Sequence, residues 1–117
     1  MSVQGAAALD TQAPSSLVLD GRDDWVVISD DLGQTALPVR AMTVESWVRI
    51  DAPKKWGAIA TAMQDNGSYE RGWLLGNRNT KFCFAISSVD RQRLTYLSAD
   101  DAFVNGAWYY VVATYDG

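Results

Sequence analysis

Residues 42–50 read MTVESWVRI, and the alternation within them decides the fold. Val44, Ser46, Val48 and Ile50 fall on one side of an extended chain, and Thr43, Glu45, Trp47 and Arg49 fall on the other. Side chains of a strand point to opposite faces in turn, so this period of two marks a strand with one packed side and one open side. KFCFAIS at 81–87 repeats the pattern. Phe82, Phe84 and Ile86 share the side expected to face a core, while Lys81, Cys83, Ala85 and Ser87 share the other. Cys83 then reads as a small filler rather than a reactive thiol.

The period of two extends along most of the chain. SLVLD (16–20), WVVIS (25–29), GAIATAM (57–63), GWLLGN (72–77), RLTYLS (93–98) and AWYYVVATYD (107–116) are further strand candidates, separated by Gly, Asn and Asp turns. No window holds the 3.6-residue apolar stripe of an amphipathic helix. SDDLGQTAL at 29–37, cut short by Gly33 and Pro38, reads as a loop with room for one helical turn. Short strands at this spacing predict an all-β antiparallel sandwich or jelly roll. Val48, Phe82, Phe84, Ile86, Val111 and Tyr115 are expected between its sheets. Residues 1–15, small and polar, read as a flexible lead-in or linker, and residues 16–117 as the domain.

Composition narrows the function. The chain has 117 residues, 48% hydrophobic and 21% charged, which suits one globular domain. A net charge of −4 excludes a nucleic-acid partner, which needs a basic surface to displace counterions. Lys54-Lys55, the one adjacent basic pair, reads as a solvated loop. No run is long and apolar enough for a membrane span, and this chain carries no basic-then-apolar signal peptide. With no histidine and a single cysteine, Ser-His-Asp and Cys-His catalysis and His-based zinc sites are excluded. A retaining glycosidase needs two carboxyl groups about 5 Å apart. Glu45 has no carboxylate at 43, 47 or 49, and Glu70 falls in a loop, so the chain does not read as an enzyme.

Two places invite a ligand. Trp47, flanked by Glu45 and Arg49 on an outward face, offers an aromatic surface, unless a loop of the same domain covers it. The second is QDNGSYER at 64–71, longer than the two turn residues a tight hairpin needs. Its Asp65, Asn66 and Gly67 suit a turn, because Asn and Gly tolerate positive φ and Asp bonds its own backbone. They are also hard oxygen donors.

Four segments carry a resemblance. LVLDGRDDWVVI (17–28), MTVESWVRI, GWLLG and WYYVVATYDG (108–117) are similar to the laminin-G-like, concanavalin A-like lectin domains over residues 16–117. Tyr110 stands where that family often has His, and Asp23-Asp24 matches its hairpin chemistry. The resemblance implies a jelly roll of two antiparallel sheets that binds without catalysis. Its ligands would be carbohydrates or proteins at the sandwich rim, with calcium assisting. Related pentraxins hold calcium through an Asp-Asn pair that Asp65 and Asn66 match, which would set Tyr69 and Arg71 beside the ion as ligand-binding residues. The family continues past its T-Y-D-G phrase, so the resemblance implies a domain incomplete at its C-terminus, with open sheet edges prone to self-association. It also implies neighbouring domains in a longer chain and an extracellular, cell-surface or periplasmic parent. The alternatives are an accessory structural module of a larger bacterial multidomain enzyme and, further off, a glycoside hydrolase.

Overall fold

The computed structural model describes residues 2–4, 8–10, 16–31, 38, 40–88 and 93–117. All its elements are strands: β1 (Ser2–Gln4), β2 (Ala8–Asp10), β3 (Ser16–Val18), β4 (Trp25–Val27), β5 (Met42–Arg49), β6 (Trp56–Asp65), β7 (Glu70–Arg78), β8 (Lys81–Ser87), β9 (Leu94–Ser98) and β10 (Trp108–Tyr115). They fall into two compact units, Met1–Leu37 and Pro38–Gly117.

In the first unit β1 pairs antiparallel with β4, and β2 with β3. Two short strands therefore lie inside residues 1–15, the segment read as a lead-in. Three residues alternate too few times to stand out from a polar background. The turn after β3 leads into β4, yet the two strands pair with β2 and β1 rather than with each other. The helical turn expected at 29–37 lies outside the described residues from 32 onward.

The second unit holds two antiparallel sheets. β5 and β10 pair along their full length, from Trp108 opposite Arg49 to Tyr115 opposite Met42. β6, β7, β8 and β9 form a four-stranded meander in chain order. The β5–β10 sheet obeys the period of two seen in the sequence, whereas β7 and β8 are buried on both faces at their centres. Along β5, Val44, Ser46 and Val48 are half-buried while Thr43, Glu45, Trp47 and Arg49 are exposed, as the alternation predicts.

Aromatic rings join the sheets. Phe82 of β8 lies 4.7 Å from the ring of Phe103 and 5.4 Å from that of Tyr109 of β10. Tyr109 sits opposite Val48, on the inner side of its sheet. The face carrying Phe82, Phe84 and Leu75 is thus the interior of a β-sandwich, and Leu75 is 1% exposed. The opposite face of β7 and β8 is also covered: Leu74, Ala85 and Leu94 form a buried cluster with Met63 against it. Cys83 is buried on that side. Tyr115 departs from expectation. It is the last residue of β10 and is 36% exposed, because the strand ends there.

The bridging role of Phe82 is testable by urea unfolding. Phe82→Ala should cost about 3 kcal/mol, as large aromatic truncations do. Tyr109→Phe should cost only about 1 kcal/mol. It keeps the ring but removes the hydroxyl that accepts the Val104 N–H at 2.8 Å. Equal losses would show that the rings do not join the sheets.

Candidate functional site

The β6–β7 hairpin resolves the long loop. Each strand runs two residues further toward the turn than the apolar pattern indicates, so Asp65 pairs with Glu70 and only Asn66 to Tyr69 remain as loop. Asp65 Oδ1 accepts the Gly67 N–H at 2.7 Å. Asn66 Oδ1 accepts the Tyr69 N–H at 2.8 Å and both the N–H and the hydroxyl of Ser68 at 3.2 Å. The Asn66 N–H returns to Tyr69 O at 3.2 Å. Gly67, with φ of 85°, supplies the left-handed step. Arg71 Nη1 stands 3.5 Å from the Tyr69 hydroxyl.

The hairpin thus brings Asp65, Asn66, Tyr69 and Arg71 together, and Trp47 lies on the other sheet. Calcium takes six to eight oxygens. The Asn66 carbonyl already accepts three donors, so this loop as arranged fits a closed turn rather than an ion. Glu70 is not a loop residue. It opens β7, and its Oε2 accepts the Leu94 N–H at 2.9 Å, fixing the start of β9.

Asp20, Asp23 and Asp24 bring carboxylate oxygens within 4.8 Å of one another. Two of these carboxylates hold their own turn. Asp24 Oδ2 accepts the Asp20 N–H at 3.0 Å, and Asp20 Oδ1 accepts the Arg22 N–H at 2.7 Å.

The outer face of β5 and β10 is the more developed surface. Trp47 is 66% exposed, and Tyr110, directly opposite it, is 50% exposed. Their rings lie 5.3 Å apart at 34°. One step along, Arg49 is opposite Trp108 and sets its guanidinium 5.7 Å from that ring. Asp51 holds the same guanidinium, Nε to Oδ1 at 3.3 Å. A hydrogen bond to Glu45 pushes the Tyr110 phenol above its ordinary range. The sequence singled out Trp47, Glu45 and Arg49. It did not supply Trp108 and Tyr110, because pairing register is needed to set them alongside.

A second exposed aromatic pair lies on the outer face of the four-stranded sheet. Trp56 of β6 and Tyr96 of β9 approach to 5.3 Å. No local pattern in the sequence connects these residues, which are forty positions apart. Beneath this face Cys83 is 3% exposed, and burial raises its thiol pKa while Arg78 pulls the other way.

These features define a laminin-G-like sandwich with exposed aromatic faces. Residues 20–117 match the sequence profile of the concanavalin A-like lectin/glucanases superfamily, and the chain belongs to it. Among curated proteins it is similar to pappalysin-1 of Mus musculus, 30% identical over 129 residues, and to pappalysin-1 of Homo sapiens, 27% identical over 125 residues. Each match covers 97% of this chain but only 8% of the relative. No solved structure gives a significant match.

Two measurements check the local chemistry. Asn66→Ala should cost about 1–2 kcal/mol in urea unfolding, because three donors lose their acceptor. An unchanged midpoint would mean that the turn does not depend on that carbonyl. Cys83 should react with a thiol reagent at pH 8 far more slowly in the folded chain than in denaturant, since the reactive thiolate is both buried and disfavoured. Equal rates would contradict the burial.

Proposed function

We propose that the chain is a non-catalytic binding module that recognises a saccharide on the outer face of β5 and β10. The exposed Trp47–Tyr110 pair carries this reading. Flat aromatic rings offer large apolar area for the C–H face of a sugar ring, and the phenol hydroxyl adds a directed hydrogen bond. Both residues stand on paired strands, so their separation is set before any ligand arrives. Glu45 is the one carboxylate on this face of the two strands, and it is engaged with Tyr110. A glycosidase would need a second carboxylate positioned against it.

The compartment in this reading is extracellular, and the module works beside other domains. A second reading, an accessory module that docks a neighbouring domain through the same face, is favoured by the small share of the relatives that the chain spans. Exposed Trp and Tyr suit a protein partner as well.

A glycan array probed with the chain separates the two. The saccharide reading expects discrete hits that Trp47→Ala and Tyr110→Ala each weaken about tenfold, close to 1.4 kcal/mol. No hits from a folded chain, together with protection of Trp47 when adjacent domains are present, would support the docking reading instead.

A further inference from the structure

Asn-Gly occurs twice in the chain, at Asn66-Gly67 and Asn105-Gly106, and all four residues are exposed to water. The pair is chemically reactive, because the glycine nitrogen can attack the asparagine Cγ and close a five-membered imide. Nucleophile and carbonyl are joined by one short link, and glycine has no side chain to hinder the approach. A Cβ at Gly67 would meet nothing within 4 Å. Both glycines take the left-handed step, with φ of 85° and 78°. The two sites thus share sequence, exposure and backbone class. They differ in the groups around the reacting atoms.

At Asn66 the turn already holds a base and a set of donors where imide formation needs them. The Gly67 N–H donates to Asp65 Oδ1 at 2.7 Å, and a general base must stand within hydrogen-bond reach of the proton it takes. Asn66 Oδ1 becomes an oxyanion when Cγ turns tetrahedral. It accepts the Tyr69 N–H at 2.8 Å and the N–H and hydroxyl of Ser68 at 3.2 Å. Donors fixed around a developing oxyanion lower the barrier to acyl transfer. At Asn105 neither group is in place. The Gly106 N–H is committed to Ile50 O at 2.9 Å, a neutral carbonyl that cannot hold the proton. The nearby Asp51 carboxylate is paired with Arg49. Among the described residues the Asn105 amide has no hydrogen-bond partner.

We infer that Asn66 is a site of spontaneous deamidation and that the folded turn accelerates it. The Gly67 nitrogen bonds to Asn66 Cγ as its proton passes to the Asp65 carboxylate. The tetrahedral centre collapses, the Cγ–Nδ2 bond breaks, and the amide nitrogen leaves as ammonia with the proton that Asp65 held. Water then opens the imide at either carbonyl, leaving aspartate or isoaspartate. One water is consumed, one ammonia is released, and nothing is oxidised or reduced. Either product adds a carboxylate between Asp65 and Glu70, which already face each other across the strand ends. Like charges so placed weaken a strand pair. Isoaspartate also lengthens the backbone by a methylene where the Asn66 N–H meets Tyr69 O. The hairpin therefore carries a slow chemical change that loosens its own turn. None of this rests on the saccharide reading.

Incubation of the full chain near neutral pH, followed by mass spectrometry of its tryptic peptides, tests this. Peptides 56–71 and 94–117 carry one asparagine each, Asn66 and Asn105, so both sites are read in one sample. In the folded chain Asn66 should convert about tenfold faster than Asn105, a modest share of what oxyanion donors supply in a dry active site. In urea the two rates should converge, because the fold alone separates them. Asp65→Ser keeps an acceptor for the Gly67 N–H but removes the base. It should slow conversion at Asn66 about fivefold and leave Asn105 unchanged. Circular dichroism verifies the fold. Should Asp65→Ser unfold, the comparison of folded and urea-treated parent chain still decides. Equal rates at the two sites in the folded chain would overturn the proposal, as would an unaltered Asn66 rate in folded Asp65→Ser. Faster conversion of Asn66 in urea than in the folded chain would show that the turn protects the amide, and would also overturn it.

Discussion

The contact between Phe82, Phe103 and Tyr109 is the constraint on which the second unit depends. Among the described residues no strand of one sheet of that unit pairs with a strand of the other, so their face-to-face register comes from side chains. Phe82 reaches out from β8, Tyr109 from β10, and Phe103 fills the space between from the loop that joins β9 to β10. That loop is itself tied down. The Phe103 N–H donates to Thr80 O at 2.7 Å, and the Val104 N–H to the Tyr109 hydroxyl. The phenol therefore contributes twice, as an apolar ring within the sandwich and as a polar anchor for the approaching backbone.

Fixing the inner faces also fixes the outer ones, because a strand offers no freedom to rotate one side without the other. Once Val48 and Tyr109 point inward, Trp47, Arg49, Trp108 and Tyr110 must point outward and meet in register. The same logic on the other sheet turns Trp56, Arg78 and Tyr96 to the opposite exterior when Phe82 and Leu75 turn in. Aromatic residues exposed in this way are consequences of sheet geometry, and their mutual placement is as rigid as the ladders beneath them.

This accounts for what the sequence could and could not reveal. The alternation in β5 and β8 is local, so the strands, their inner faces and the all-β class were legible from residue spacing alone. Strand ends were not. Asp65 and Glu70 are polar, and their pairing depends on a turn whose oxygens fold back on their own backbone, which apolar periodicity cannot register. The three-residue strands β1 and β2 fell below the same threshold. Trp47 was visible as a candidate because its neighbours at 45 and 49 are charged. Its partner Tyr110 and the Trp56–Tyr96 pair depend on which strands adjoin or reach across the sheet, and no window of sequence contains that information.

The two outer faces use the same parts to different effect. Each sets a guanidinium beside a Trp ring, Arg49 with Trp108 and Arg78 with Trp56. Asp51 neutralises Arg49 at 3.3 Å, and the nearby Glu45 is bonded to a phenol, so that face presents balanced charge around its rings. Arg78 instead faces Lys81 across the strand pair, on a junction held by Asn77. Charge balance, more than the aromatic content they share, is therefore what distinguishes the two faces.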